Sequence, residues 1–147
     1  MPQRTIFTQD VLRALAINGR WNRARIDRDE MPIDFQPVVK IFNPYSGATW
    51  LLTESDPDEP DRLFGLCDLG QGFPELGYVS QTEIETCRIR RGNCELPLER
   101  DKYFQATHTL SVYAEAARAC GRITEDRAAL DRAQAKTGSV SMEQSHG

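Results

Sequence analysis

Apolar and polar positions divide this chain into short alternating runs, with helical periodicity at both ends. The densest run is Arg62–Ser80, RLFGLCDLGQGFPELGYVS, with four glycines and two carboxylates. Successive strand residues point to opposite faces. Phe64 and Leu66 therefore fall on one face of a strand over Arg62–Leu69, and Leu63, Cys67 and Leu69 on the other. Apolar residues on both faces predict an interior strand covered on both sides. Gly65 within it predicts a bulge or the close approach of another backbone. Gly70 and Gly72 permit positive φ and Pro74 lacks an N–H, so Gly70-Gln71-Gly72 reads as a tight corner into a second strand over Phe73–Val79. This G-x-G is not a phosphate cradle, because such a cradle needs a helix N-terminus after its glycines.

The same reading extends along the chain. Thr8 predicts the cap of a first helix, TQDVLRALAIN, with Asp10 in its first turn and Val11, Leu12 and Leu15 on its apolar face. Asn18-Gly19 reads as its stop, and residues 20–36 as either continued helix or a long functional loop. Pro37–Phe42 and Ala48–Thr53 read as hairpin strands around Asn43–Gly47, with Trp50 and Leu52 on one face. Period-two placement predicts that Trp50, Phe64, Leu66 and Leu76 share one buried core beneath the helices. Ser80-Gln81-Thr82-Glu83 is a capping box, predicting a helix through about Arg90 that ends at Arg91-Gly92-Asn93. Glu95–Arg100 reads as an edge strand because of Pro97, and Leu110–Cys120 as an alanine-rich helix closed by Gly121. A polar helical extension over 124–136 and a disordered tail over 137–147 complete the chain. Consecutive strands with short turns give an α+β class: an antiparallel β-meander of four to five strands covered by about three helices, as a single domain over 1–123.

Composition sharpens the functional classes. At 147 residues the chain can bury a real core. No apolar run reaches membrane-spanning length and MPQRTIFTQD has no apolar signal region, so a cytoplasmic protein without a membrane partner is expected. Cys67, Cys87, Cys94 and Cys120 are spaced unlike a zinc site and read as reduced thiols; no metal or cofactor is expected. The net charge of −4 is unevenly spread. Residues 1–28 carry six arginines against two aspartates, residues 29–86 twelve acids against two bases, and residues 87–147 ten bases against eight acids. An acidic middle of −10 disfavours duplex DNA, whose phosphates need a basic footprint, and suits a basic protein partner.

Four constellations are candidates for chemistry. Asp68 and Glu75 flank the glycine corner and could hold a divalent metal or share acid–base work as a hydrolase or nuclease, or Asp68 caps the turn and Glu75 is solvated. His108, the one histidine outside the tail, reads as structural for want of a nucleophile at a recognisable elbow. ESDPDEPD, with Glu54, Asp56, Asp58, Glu59 and Asp61, lacks the glycine and terminal glutamate of a calcium loop and reads as exposed. If it binds anything, a basic nucleic-acid-binding protein surface fits, with carboxylates standing where phosphates would. Arg20, Arg23, Arg25 and Arg28 surround Trp21, and Arg88, Arg90 and Arg91 form a second group. Both could contact single-stranded nucleic acid, although Asp27, Asp29 and Glu30 favour local ion pairs for the first.

Over PVVKIFNPYSGATWLLTESDPDEPDRLFGLCDLGQGFPELGYVS, LPLERDKYF and LSVYAEAARACGRI, between Pro37 and Ile123, the chain resembles the bacterial domain of unknown function 2958 family. Helix 1 fits that resemblance more loosely and the chain after Ile123 lies outside it. The resemblance implies an accessory protein of plasmids and integrative elements, with no catalytic residues to carry over. The expectation is macromolecular binding, favoured as an inhibitor of a host defence system of antirestriction or anti-CRISPR type.

Overall fold

The structure is a computed structural model that describes residues 6–145, with side chains as far as Thr137. Four antiparallel strands form a meander: β1 (Val39–Phe42), β2 (Thr49–Ser55), β3 (Arg62–Asp68) and β4 (Glu75–Ser80). A further strand, β7 (Glu99–Arg100), pairs with β1, so the sheet order is β4-β3-β2-β1-β7. Between β4 and β7 come a helix, α2 (Gln81–Thr86), and a separate hairpin of β5 (Arg88–Arg91) and β6 (Cys94–Pro97). The other helices are α1 (Gln9–Asp27), α3 (Leu110–Cys120) and α4 (Arg127–Ser145). The α+β meander stands, with helices on both faces.

Each face has its own core. Leu15 of α1 packs with Val39, Ile41, Leu52, Leu63 and Ile84 on one side. Leu51 and Leu66 pack with α3 and α4 on the other. β3 is therefore covered on both sides, as its apolar pattern requires. The four residues expected in one core are divided: Trp50 packs on the α1 face, Leu66 on the α3 face, and Leu76 is 44% exposed. Leu76 sits opposite Leu66, but on β4, the edge strand of the sheet, which is largely exposed.

Helix 1 does not stop at Gly19. It continues to Asp27, and the glycine is there because a Cβ would meet the Ser55 carbonyl oxygen at 1.8 Å. Close packing of α1 on β2 requires the missing side chain. Beyond α1 the chain turns at Arg28 and Asp29, and residues 30–38 then cross to the start of α3. The Ile33 amide donates to Asn22 Oδ1 (2.7 Å), and the Leu110 amide to the Phe35 carbonyl (2.9 Å). Asp34 accepts from the Ser111 amide (3.1 Å) and hydroxyl, capping α3 from 77 residues away, while its own N-cap Thr109 makes no side-chain bond.

Two further expectations are corrected. The helix after Ser80 ends at Thr86, and Arg88–Arg91 is a strand. Ile89 packs into the α1-face core, and Gly92-Asn93, with Gly92 at φ 60, is a two-residue hairpin turn. α4 is more than a polar extension: Ala129, Leu130 and Ala133 are buried, Leu130 and Ala133 in the α3-face core. Its backbone is helical through Ser145, where a disordered tail was expected, and residues 146 and 147 lie outside the described residues.

Candidate binding cleft

The site begins with one extra residue. Leu52 pairs with Gly65 and Glu54 with Phe64, so Thr53 is a bulge in β2. A strict period of two would put Glu54 on the same face as Leu52; the bulge turns it onto the face carrying Phe64 and Tyr78, where Asn22 of α1 still reaches it. Gly65 accommodates the distortion, since a Cβ there would lie 2.0 Å from the Leu51 carbonyl oxygen.

Glu54 is half-buried between α1, the crossing segment and β3–β4. Its Oε2 accepts from Asn22 Nδ2 at 2.7 Å. Asn22, itself 5% exposed, also donates to the Ile33 carbonyl (3.2 Å). Nothing else among the described residues donates to the Glu54 carboxylate. Burial raises its pKa, partly offset by the Asn22 bond. The cleft in front of it encloses about 240 Å³, walled by Ile26, Ile33, Phe64, Tyr78 and Leu110. A smaller chamber of about 80 Å³ continues on the other side of Glu54, toward Arg23 and Asp56. Tyr78 is 57% exposed, with its ring 5.2 Å from that of Phe64 and the Arg62 guanidinium 3.9 Å from its centroid. Leu76 and Phe73, 44% and 80% exposed, extend the apolar surface along the β4 edge to a groove beside Arg118.

The acidic loop is exposed over residues 57–61, yet most of its carboxylates hold donors. Asp56 accepts the amides of Asp58 (2.8 Å) and Glu59 (3.4 Å) and a bond from Arg23 (3.2 Å), which lower its pKa. Asp58 pairs with the other Arg23 nitrogen. Asp61 caps α2, accepting the Thr82 amide (2.9 Å) together with the Ser80 and Thr82 hydroxyls, and its pKa falls for the same reason. Glu59 has an exposed side chain with no donor among the described residues. The loop was expected to be exposed, and residues 57–61 are; Asp56, Asp58 and Asp61 in addition accept bonds from Arg23 or from the start of α2.

The metal pair does not assemble. Asp68 is 1% exposed, accepting from the Gly70 amide (2.8 Å) and from the amide of Ile123, just after α3 (3.0 Å). Glu75 pairs with Cys67, so its side chain belongs to the opposite face from Asp68. Among the described residues no three His, Cys, Asp or Glu side chains cluster as a metal site would require. His108 is buried between Thr107 Oγ1 (2.7 Å) and Asp131 (2.9 Å), edge-on to Tyr113, and fastens α4 to the start of α3.

The arginines divide similarly. Arg23 and Arg25 are paired, Arg25 with Glu30 (3.3 Å) and the Met31 carbonyl (2.6 Å). Arg20, Trp21 and Arg28 remain on the solvent side of α1, Trp21 59% exposed. In the second group Arg91 lies over Tyr45, Arg88 donates to the Glu85 and Cys87 carbonyls, and Arg90 is 4.0 Å from Glu95. Sequence reasoning singled out Glu54 but missed Asn22, Phe64 and Tyr78 as its neighbours. The alternating pattern of β4, with polar-faced Tyr78 between apolar residues, carried a trace of it.

The fold is that of a small α+β domain, with a half-buried carboxylate in an aromatic cleft beside an open sheet edge. The chain belongs to the family described as protein of unknown function DUF2958, matching it over residues 6–124. The match includes α1, which resembled the family only loosely, and excludes α4. No curated protein and no solved structure matches the chain. No helix among the described residues is long and apolar enough to cross a membrane.

Proposed function

We propose that this protein acts by binding a macromolecular partner, a protein, along the β4 edge and the Glu54 cleft. The observation that carries this reading is the continuous exposed row Phe73, Leu76 and Tyr78, with Ile26 beside it. Contiguous exposed apolar surface of this kind marks interaction sites. An edge strand also offers unpaired backbone groups to a partner. Because Asp56, Asp58 and Asp61 already hold donors, the expected basic contact moves to the cleft and Glu59. Within this class the narrower proposal is a cytoplasmic accessory protein of a bacterial mobile element that antagonises a host defence system. That narrower proposal draws on the setting the family resemblance implies.

The test is proximity crosslinking in a bacterial host with a photoreactive residue at position 76. Capture of one discrete protein, lost when Phe73→Asp and Tyr78→Asp are combined in a protein that still folds, supports the reading. Capture unchanged by that pair overturns the surface assignment. For the antagonist role, expression should raise plaque formation by phage in a restricting or CRISPR-immune strain; unchanged plating refutes it. A second reading, single-strand binding by the α1 face, is favoured by Arg20 and Arg28, which have no acidic partner among the described residues, beside exposed Trp21. It predicts loss of oligonucleotide binding in Trp21→Ala.

A further inference from the structure

We infer that the Glu54 cleft is a specificity pocket for an arginine side chain presented by the protein partner, and so deepens the reading above. Three observations converge on a cation of that size. The first is charge: Glu54 and Asp34 are the charged groups lining the main chamber, and no lysine or arginine lines it. The second is volume. At about 240 Å³ the chamber is smaller than the roughly 300–1,000 Å³ of sites that take drug-sized ligands, and suits one side chain. The third is the wall. Phe64 and Tyr78 present aromatic rings beside the carboxylate, and Tyr78 already carries a guanidinium, that of Arg62, at 3.9 Å. A planar, weakly hydrated guanidinium stacks on such rings and pairs with a carboxylate, which a compact ammonium does less well.

The placement of Glu54 supports the same use. Asn22 holds Oε2, so the carboxylate is oriented before anything binds. The remaining oxygen has no donor among the described residues. A carboxylate costs free energy when desolvated without a partner, and an incoming guanidinium supplies the missing donors. The bulge at Thr53 is what brings the charge to this face.

The experiment uses the full chain, isotope-labelled for NMR, and n-butylguanidinium as probe, with the neutral isostere n-butylurea as control. Saturable shifts at the amides of Ile33, Glu54, Phe64 and Tyr78 are expected for the guanidinium, in the millimolar range, with at least about fivefold weaker response to the urea. Glu54→Gln, which retains an acceptor for Asn22, should abolish the difference while leaving distant amides unmoved. Equal responses to the two probes, or guanidinium binding that survives in Glu54→Gln, overturn the inference. Neither result depends on capture of a partner through position 76, so the pocket and the wider binding role fail separately.

Discussion

Two glycines and one glutamate show how single residues set this structure. Gly65 and Gly19 leave space for backbone where any Cβ would be within about 2 Å of a carbonyl oxygen, at 2.0 and 1.8 Å. Backbone cannot give way as a side-chain tip can. Gly65→Ala is therefore expected to lower stability by about 3 kcal/mol or more, measured by urea unfolding. An unchanged midpoint would mean that β2 and β3 are not so closely apposed. Glu54 makes the opposite prediction. Its folded-state pKa is raised, so its charge opposes folding above that pKa, and stability is regained as pH falls from the raised folded value toward 4.5. Arg23 and Asp56 line the neighbouring chamber and remain paired with each other across that range. Glu54→Gln should then be as stable as the parent at pH 7, or more so, with a flatter stability profile on the acid side. A clear loss at pH 7 would show that the charge itself supports the fold.

At the scale of elements, loops do structural work that their composition conceals. Asp61 and Asp56 have lowered pKa values, so what they contribute is present above about 3.8 and is lost as pH falls through their folded values. Reversing Asp61 should depress the melting temperature, whereas reversing Glu59 should not, a contrast that thermal denaturation of the two variants would check. Asp68 joins the corner after β3 to the segment after α3. Asp68→Ala leaves the Gly70 and Ile123 amides without their acceptor, an expected cost of about 1–3 kcal/mol for each amide left buried and unpaired, read from urea unfolding. The strand at Arg88–Arg91 was hidden because a good capping box opens α2 and gives no signal of where the helix ends. Gly92-Asn93 was the better guide, since a two-residue turn demands strands on both sides.

Over the whole molecule, α4 lies outside the family match yet completes the α3-face core. Leu130 is 1% exposed there, so Leu130→Ala should cost about 2–5 kcal/mol, and ending the chain before Arg127 should expose the same surface. Denaturant titration of the two forms checks this; a truncated chain of parental stability would make α4 an ornament. The sequence by itself determined the meander, the two-faced burial of β3 and the cap at Thr8, because each follows from period, turn chemistry or a bond between near neighbours. It also determined the family. Tertiary structure alone decided what the long-range partners are. The capping of α3 by Asp34, the clamp of His108 on Asp131 and the meeting of Asn22 with Glu54 join residues 77, 23 and 32 positions apart. The facing of Glu54 is the sharpest case. One bulged residue reverses every side chain beyond it, and no local pattern records that shift, because the bulge arises where β2 accommodates to its neighbour across Gly65.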